Sequence, residues 1–422
     1  MNIYISGISG TGMGPLALMA RAAGFEVSGS DLTKGAVYDE LIQAGIDVFV
    51  GEQDGEFLRS KLSGGVDWFV YTSALSDDHA ELVLARESGV ECTKRDDFTS
   101  FLVEKLGLKM IAVAGTHGKT TTTAMIVWLS LKIGLPISYL VGTTLGFAPS
   151  GAYHAGDKYF IYEADEYDRN FLKYHPWLAA IPAVSYDHPD IYPTKEDYEE
   201  AFLQFESQSE NVLLCREEGI FWSDGEKAEF QAGDFKLAGE ARRIDAALAA
   251  NSVKFMLKEG SAEGDIQKII SVMNEFPGVG RRFERITDGV YSDYAHHPEE
   301  IAATVEIARE EAEILGRKGV VVVYQPHQNT RQHEVKDGYE DAFIGASKVF
   351  WLPTYLTRED ESLRVIEPQE FIQGLSNAEA AEATDLTEKL EGELRKYLDD
   401  DYLVIMMTAG PADAWLREKF AK

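Results

Sequence analysis

"AVAGTHGKTTTTAM", residues 112–125, decides how this chain is built. The apolar run "KMIAVAG" predicts a strand ending here, and "KTTTTAMIVWLSLKIG" predicts the helix that follows. Between them lie Gly115, Thr116, His117 and Gly118, then Lys119, Thr120 and Thr121. This is a phosphate-binding loop in shortened form. The common pattern is G-x-x-x-x-G-K-[ST], but Val113 stands five before Gly118, so the pattern here is G-x-x-G-K-T. The physics survives the shortening. Small residues let the backbone approach an anion, successive N–H groups point inward, and the helix adds its positive end. Lys119 is placed to reach terminal phosphates and the Thr120 hydroxyl to ligate Mg²⁺.

Outward from the loop, strands alternate with helices in both directions, which predicts an α/β chain with mainly parallel sheets. "NIYISGI", "EVSGSD" and "VDWFVYTSAL" are strands of a first unit, residues 1 to about 106. "YFIYEAD" and "LAAIPAVS" are strands of a second, closed by the helical pair "EARRIDAALAANSVKFMLKEG" and "AEGDIQKIISVMNEF". "PGVG" at 277–280 is a hinge signal. A third unit then carries "VYSDYA", "GVVVVYQP", "KVFWLP" and "DYLVIMMTAG". Two or three domains are what 422 residues require.

The net charge of −31, from 71 acidic and 40 basic residues, argues against a nucleic-acid partner. Phosphorylated ligands must be held by local devices instead. No apolar run approaches the ~20 residues of a membrane span, so membrane insertion is not expected. "MNIYISGISG" lacks the regions of a secretion signal, and the two cysteines, Cys92 and Cys215, have no metal-type spacing. Both point to the cytoplasm.

Three further clusters carry chemistry. "YEADEYDRNF" (162–171) ends a strand in carboxylates downstream of the loop, where a nucleotide-bound Mg²⁺ finds its second anchor. Glu163 is the candidate ligand, with Asp165, Glu166 and Asp168 as outward or loop residues. His188 in "VSYDHPD" ends another strand; alone it is more simply a structural histidine. "GISGTGMG" sets Gly7, Gly10, Gly12 and Gly14 between strand and helix, with Asp31 about twenty residues on. That approximates a dinucleotide fingerprint, in which backbone meets pyrophosphate and the acid meets ribose. A nicotinamide enzyme would explain these glycines but not the loop at 115–121. Two diphosphate sites suggest an ATP-dependent enzyme acting on a nucleotide-linked substrate. In the third unit Arg281 and Arg282, then Asp293, Tyr294, His296 and His297, then His327, Gln328 and Arg331 all follow strands or the hinge.

Taken in order, "GISGTGMG", "SGSD", "AGTHGKTTTT", "EADEYD", "DHPDIY", "GVGRRFE", "DYAHHP" and "QPHQNTRQ" resemble the Mur ligase family along the whole chain. The resemblance implies three domains: a Rossmann-like UDP-binding domain (1–106), a P-loop ATPase-like domain (107–277) and a Rossmann-like lid domain (278–422). It implies an ATP- and Mg²⁺-dependent ligase of bacterial cell-wall synthesis, acting through an acyl phosphate. The strings "THGKT", "GRRF" and "DYAHHPEEIAAT" look most like the branch that adds L-alanine to UDP-N-acetylmuramate. The branch that reattaches a recycled tripeptide is the alternative, as is a family member that binds nucleotide without turnover.

By the same resemblance, ATP is held by residues 115–121 and Asp245, with Lys119 on the β- and γ-phosphates. Thr120 and Glu163 hold one metal and His188 a second. Arg282 and Asp293 reach phosphate and ribose, while Tyr294, His296, His327 and Arg331 line the muramate and amino-acid side. UDP lies on Gly10, Thr11, Gly12 and Asp31, beside Ser73 and Arg95. Monomer and homodimer both remain open. The chain departs from the family where "GEARRIDAALAA" replaces a G-x-H-N-x-x-N segment beside the adenine. Ala241, Arg242 and Asp245 stand there, and an ionised Asp only accepts hydrogen bonds. Gln328 stands where many alanine-adding relatives have Arg.

Overall fold

A computed structural model describes every residue except 36, 73, 74, 189, 190, 261–263, 358, 361 and 422. The fold is α/β, with three mainly parallel sheets among the described residues. The first sheet is all parallel, in the order Asp47–Val50, Glu26–Asp31, Asn2–Ser6, Trp68–Tyr71, Glu91–Lys94. Its central strand, "NIYIS", is buried on both faces from Ile3 to Ser6, as expected where helices cover a parallel sheet on both sides.

The second sheet has seven strands, ordered Gly219–Trp222, Val212–Arg216, Leu178–Ile181, Lys109–Val113, Tyr159–Glu163, Ile137–Leu140, Gly151–Ala152. The five inner strands are parallel and the two outer ones antiparallel. The third sheet runs Glu284–Thr287, Val290–Asp293, Tyr402–Thr408, Gly319–Gln325, Lys348–Trp351, Ala381–Ala383, with only the first strand antiparallel. Each sheet thus gathers its functional loops at the carboxyl ends of parallel strands.

The chain divides into two compact units. Met1–Phe235 with Ile244–Phe276 forms one and contains the first two sheets. Lys236–Arg243 with Pro277–Lys422 forms the other. The helix Glu240–Glu259 therefore begins with the second unit and continues into the first. The helix Lys119–Ile133 is buried all round from Thr122 to Ser130, which makes it the central helix of its sheet. No helix among the described residues is long and apolar enough to cross a membrane.

Candidate active site

The phosphate loop leaves the strand Lys109–Val113 at the centre of its sheet. Gly118 caps the following helix with φ +81°, and a Cβ there would lie 2.5 Å from Asp245 Oδ1, so the position requires glycine twice over. Asp245 is buried beneath the loop and accepts from the Thr122 hydroxyl at 3.0 Å. The residue expected beside adenine thus also braces the loop from below. Ala241 is exposed and, with Arg242, falls in the part of the helix that belongs to the second unit.

Lys119 is folded over its own loop. Its Nζ donates to Gly115 O at 2.6 Å and to Glu166 Oε1 at 2.9 Å. Glu166 is 1% exposed, which corrects the expectation of an outward loop residue. Burial pushes its carboxyl up to about 7, against the opposing pull of the Lys119 ammonium. Burial would lower the Lys119 pKa, but Glu166, Glu163 and Asp165 together outweigh it and the net direction is upward. Glu166 was missed because it lies beyond the strand end, where alternation no longer reports burial. The signal available was the paired acids of "EADE", on either side of the fully buried Ala164.

Thr120 Oγ1 donates to Glu163 Oε1 at 3.0 Å, bringing the two expected Mg²⁺ ligands together. Glu163 Oε2 is buried with no hydrogen-bond partner. Thr116 Oγ1 meets Tyr198 Oη at 2.7 Å and Ser185 O at 2.6 Å, while Tyr192 Oη donates to Glu166 O, tying the loop to its neighbours. His188 has φ +56°, and its Nε2 lies 3.8 Å from Glu166 Oε1 and 3.6 Å from Asp187 Oδ2. Among the described residues no three His, Cys, Asp or Glu side chains form a group able to hold a metal by themselves.

A cleft of about 540 Å³ opens over the first sheet. Gly10, Thr11, Gly12, Asp31 and Arg95 all line it, so the expected UDP residues are brought together. Ser73 lies outside the described residues. Asp31 accepts from Ser9 N at 2.9 Å and so steadies the glycine-rich turn. Arg95 lies across Gly12, where a Cβ would sit 2.6 Å from its guanidinium. Arg95 is held by Asp96, whose Oδ1 also accepts from Tyr162 and Tyr174, each at 2.9 Å. Tyr162 precedes Glu163 on the same strand. A second, smaller cleft is lined by Thr11, Gly12, Arg95, Gly142, Glu163 and Asp165.

In the second unit, Arg281 and Arg282 lie over the Tyr294 ring, 4.7 and 5.1 Å from its centroid. Tyr294 meets His296, and His296 meets His327, at ring separations of 5.3 and 6.1 Å. Glu300 accepts from His296 N and lies 3.2 Å from its Nδ1. His327 Nδ1 is buried without a hydrogen-bond partner. Burial, with His296 and Arg331 nearby, lowers its pKa to about 4. Asp293 is buried and accepts from Phe283 N and Ala295 N, so it fixes the turn that presents Arg282. Gln328 has φ +62° and starts the helix Asn329–Val335, which carries Arg331.

The description "Mur ligase family, catalytic domain" matches residues 2–105, and "Mur ligase middle domain" matches residues 113–267. A UDP-N-acetylmuramate–L-alanine ligase of Gloeobacter violaceus is 32% identical over 394 residues, 86% of this chain and 83% of its own. The crystal structure of a UDP-N-acetylmuramate-alanine ligase from Thermotoga maritima shares the fold, with a TM-score of 0.74 at 23% identity over 99% of this chain and 98% of that one. A murein peptide ligase from Psychrobacter arcticus superposes less well, with a TM-score of 0.59 at 21% identity over 99% and 98% of the two chains. With residues 2–105 and 113–267 matched by family models and a relative above 30% identity along most of its length, the chain belongs to the Mur ligase family.

Proposed function

We propose that this protein is a cytoplasmic ATP-dependent ligase that joins L-alanine to the carboxylate of UDP-N-acetylmuramate, in peptidoglycan precursor synthesis. The observation that carries the reading is the continuity of the two clefts. They share Thr11, Gly12, Arg95 and Asp165, so a ligand with its diphosphate on the glycine-rich turn is led to Glu163. Glu163 in turn touches Thr120 of the phosphate loop. A UDP-linked carboxylate and an ATP γ-phosphate would therefore meet. The name of the Gloeobacter relative, a UDP-N-acetylmuramate–L-alanine ligase, supports the same substrates.

A carboxylate is a poor electrophile, and transfer of the γ-phosphoryl group to it makes an acyl phosphate. The amine of L-alanine attacks the acyl carbon, and phosphate leaves from the tetrahedral intermediate. The protein's share is positioning and charge neutralisation. Lys119 would exchange Glu166 for the β- and γ-phosphates, while the loop's N–H groups take the remaining oxygens. Arg95 would hold the UDP diphosphate. Arg282, Tyr294, His296, His327 and Arg331 would bind the muramate and alanine groups. Mg²⁺ fits Thr120 and Glu163, because Glu163 Oε2 is a buried oxygen with no other partner and the ion takes oxygen donors. Bound there, it would neutralise phosphate charge. A second ion beside His188 would draw on Glu166 and Asp187, the carboxylates closest to its ring.

The test is phosphate release from ATP with Mg²⁺ and UDP-N-acetylmuramate, one amine at a time, with the product confirmed by mass. Release that depends on L-alanine is the expected result. Release only with a tripeptide would move the protein to the recycling branch, and none with any amine would mark a nucleotide-binding member without turnover.

A further inference from the structure

The first sheet hides a carboxylate that this reaction does not use. Glu81, on the helix Ala80–Glu87, is 1% exposed. It accepts from Tyr4 Oη at 2.6 Å, Ser6 Oγ at 2.6 Å and Ser30 Oγ at 2.7 Å. Its fourth donor is Gln53 Nε2, at 3.3 Å. The same nitrogen donates to Ser6 Oγ at 3.0 Å and Ser30 Oγ at 2.8 Å.

This network fixes which way the Gln53 amide faces. An ionised carboxylate only accepts, and both serine protons already point at it, so both hydroxyls turn lone pairs toward Gln53. Every group on that side requires a donor. Turning the amide over would set Oε1 against three oxygens, one of them a buried carboxylate, and burial without pairing is costly. The NH₂ group is therefore held inward. Gln53 also lines the large cleft, and its Oε1 accepts from no described residue.

Strand order places this carbonyl along the cleft. Asp31, Leu32 and Gln53 lie at or beyond the ends of the two strands on one side of the glycine-rich turn, whereas Lys94 and Arg95 lie at the end of the edge strand on the other. The smaller cleft continues from Arg95 to Glu163. A UDP-sugar running that way puts its base at the Gln53 end. Leu32, 64% exposed, and Leu75 line the same cleft and offer apolar surface to a flat ring.

We propose that Gln53 reads the pyrimidine, its fixed carbonyl accepting the imide N3–H of uracil. Glu81 is the positioning residue that forbids the flipped amide. The inference rests on the UDP-substrate reading above. Cytosine carries a lone pair at N3, so the same carbonyl rejects it.

Calorimetric titration of the full chain with UDP and with CDP at pH 7.5 tests this. Wild type should bind UDP at least about tenfold tighter than CDP. Gln53→Met keeps the length and removes the acceptor, so UDP weakens about tenfold, CDP changes less than about twofold, and the ratio collapses. Glu81→Gln frees the amide to turn, and the ratio shifts toward CDP. A merely structural Gln53 would weaken both nucleotides equally. Retained ATP binding confirms that a variant is folded; should Glu81→Gln not fold, the Gln53→Met ratio decides. A wild-type ratio near one, or an unchanged ratio in Gln53→Met, overturns the inference and leaves the substrate reading standing. No binding of either nucleotide overturns both.

Discussion

The two units place their candidate residues at the same kind of position, beyond the carboxyl ends of parallel strands, yet with opposite charge. Around the phosphate loop, Glu163, Asp165 and Glu166 surround a buried ammonium, which is already closed on Glu166. In the second unit, Arg282 and Arg331 make no ion pair with any described residue, and the neighbouring His327 is kept neutral by burial, with His296, Arg331 and Arg281 acting in the same direction. A site with surplus carboxylate suits a metal-bound nucleotide. A site with unpaired guanidinium groups suits a carboxylate, which Arg grips bidentately. Under the function proposed above, this contrast would sort the ligands by charge: Mg²⁺ and ATP to the first unit, the amino acid's carboxylate to the second.

The largest effect should come from Lys119, the buried ammonium of the first cluster. Lys119→Ala should lower the rate of L-alanine-dependent phosphate release by about a thousandfold or more, because transition-state charge on the phosphoryl group loses its closest counter-ion. UDP binding, measured separately by calorimetry, should stay within twofold. A variant that turned over normally would break the assignment of ATP to this cluster.

Next in size is the metal side. Glu163→Gln should cost about a hundredfold in rate at low Mg²⁺ and recover in part as Mg²⁺ is raised, since ligand loss weakens metal affinity rather than the loop. A deficit that Mg²⁺ does not touch would mean that Glu163 serves only the hydrogen bond to Thr120.

A smaller effect tests the opposite pole. Arg331→Lys keeps the charge and removes the planar fork, so the KM for L-alanine should rise about tenfold with the KM for ATP unchanged. A rise in the ATP constant instead would show that local charge does not sort the ligands.

How much of this was legible in the sequence depends on what each signal measures. Buried parallel strands are continuous apolar runs, so "KMIAV", "NIYIS" and "GVVVV" declared themselves, and the loops that follow them came with them. Lys119, Thr120 and Glu163 were legible because strand, loop and helix fix their places. Glu166 and the His188 partners were not. They sit in irregular backbone, with φ +54° at Asp168 and +56° at His188, where no period relates sequence to direction. The change of unit inside Glu240–Glu259 was equally hidden, because a continuous helix shows one pattern across both units. Gln53 and Glu81 lie 28 residues apart and meet only through the sheet.

The smallest expected effect lies in the pH response of the second cluster. His327 has a folded pKa of about 4, below the ordinary imidazole value of 6.5 that an unfolded chain would show. Between those values the unfolded state binds the extra proton, so acid favours unfolding: stability falls as pH drops from 6.5 toward 4, and His327 adds no pH dependence above 6.5. Burial, His296, Arg331 and Arg281 act in this direction, and Glu359 opposes them. His327→Asn keeps a polar side chain and removes the titration, so its calorimetric melting temperature should fall less than that of wild type between pH 7 and pH 4.5. Equal falls would mean that His327 is protonated without cost and that the second cluster is less cationic in effect than its composition suggests. The electrostatic contrast with the phosphate loop would then rest on Arg282 and Arg331 alone.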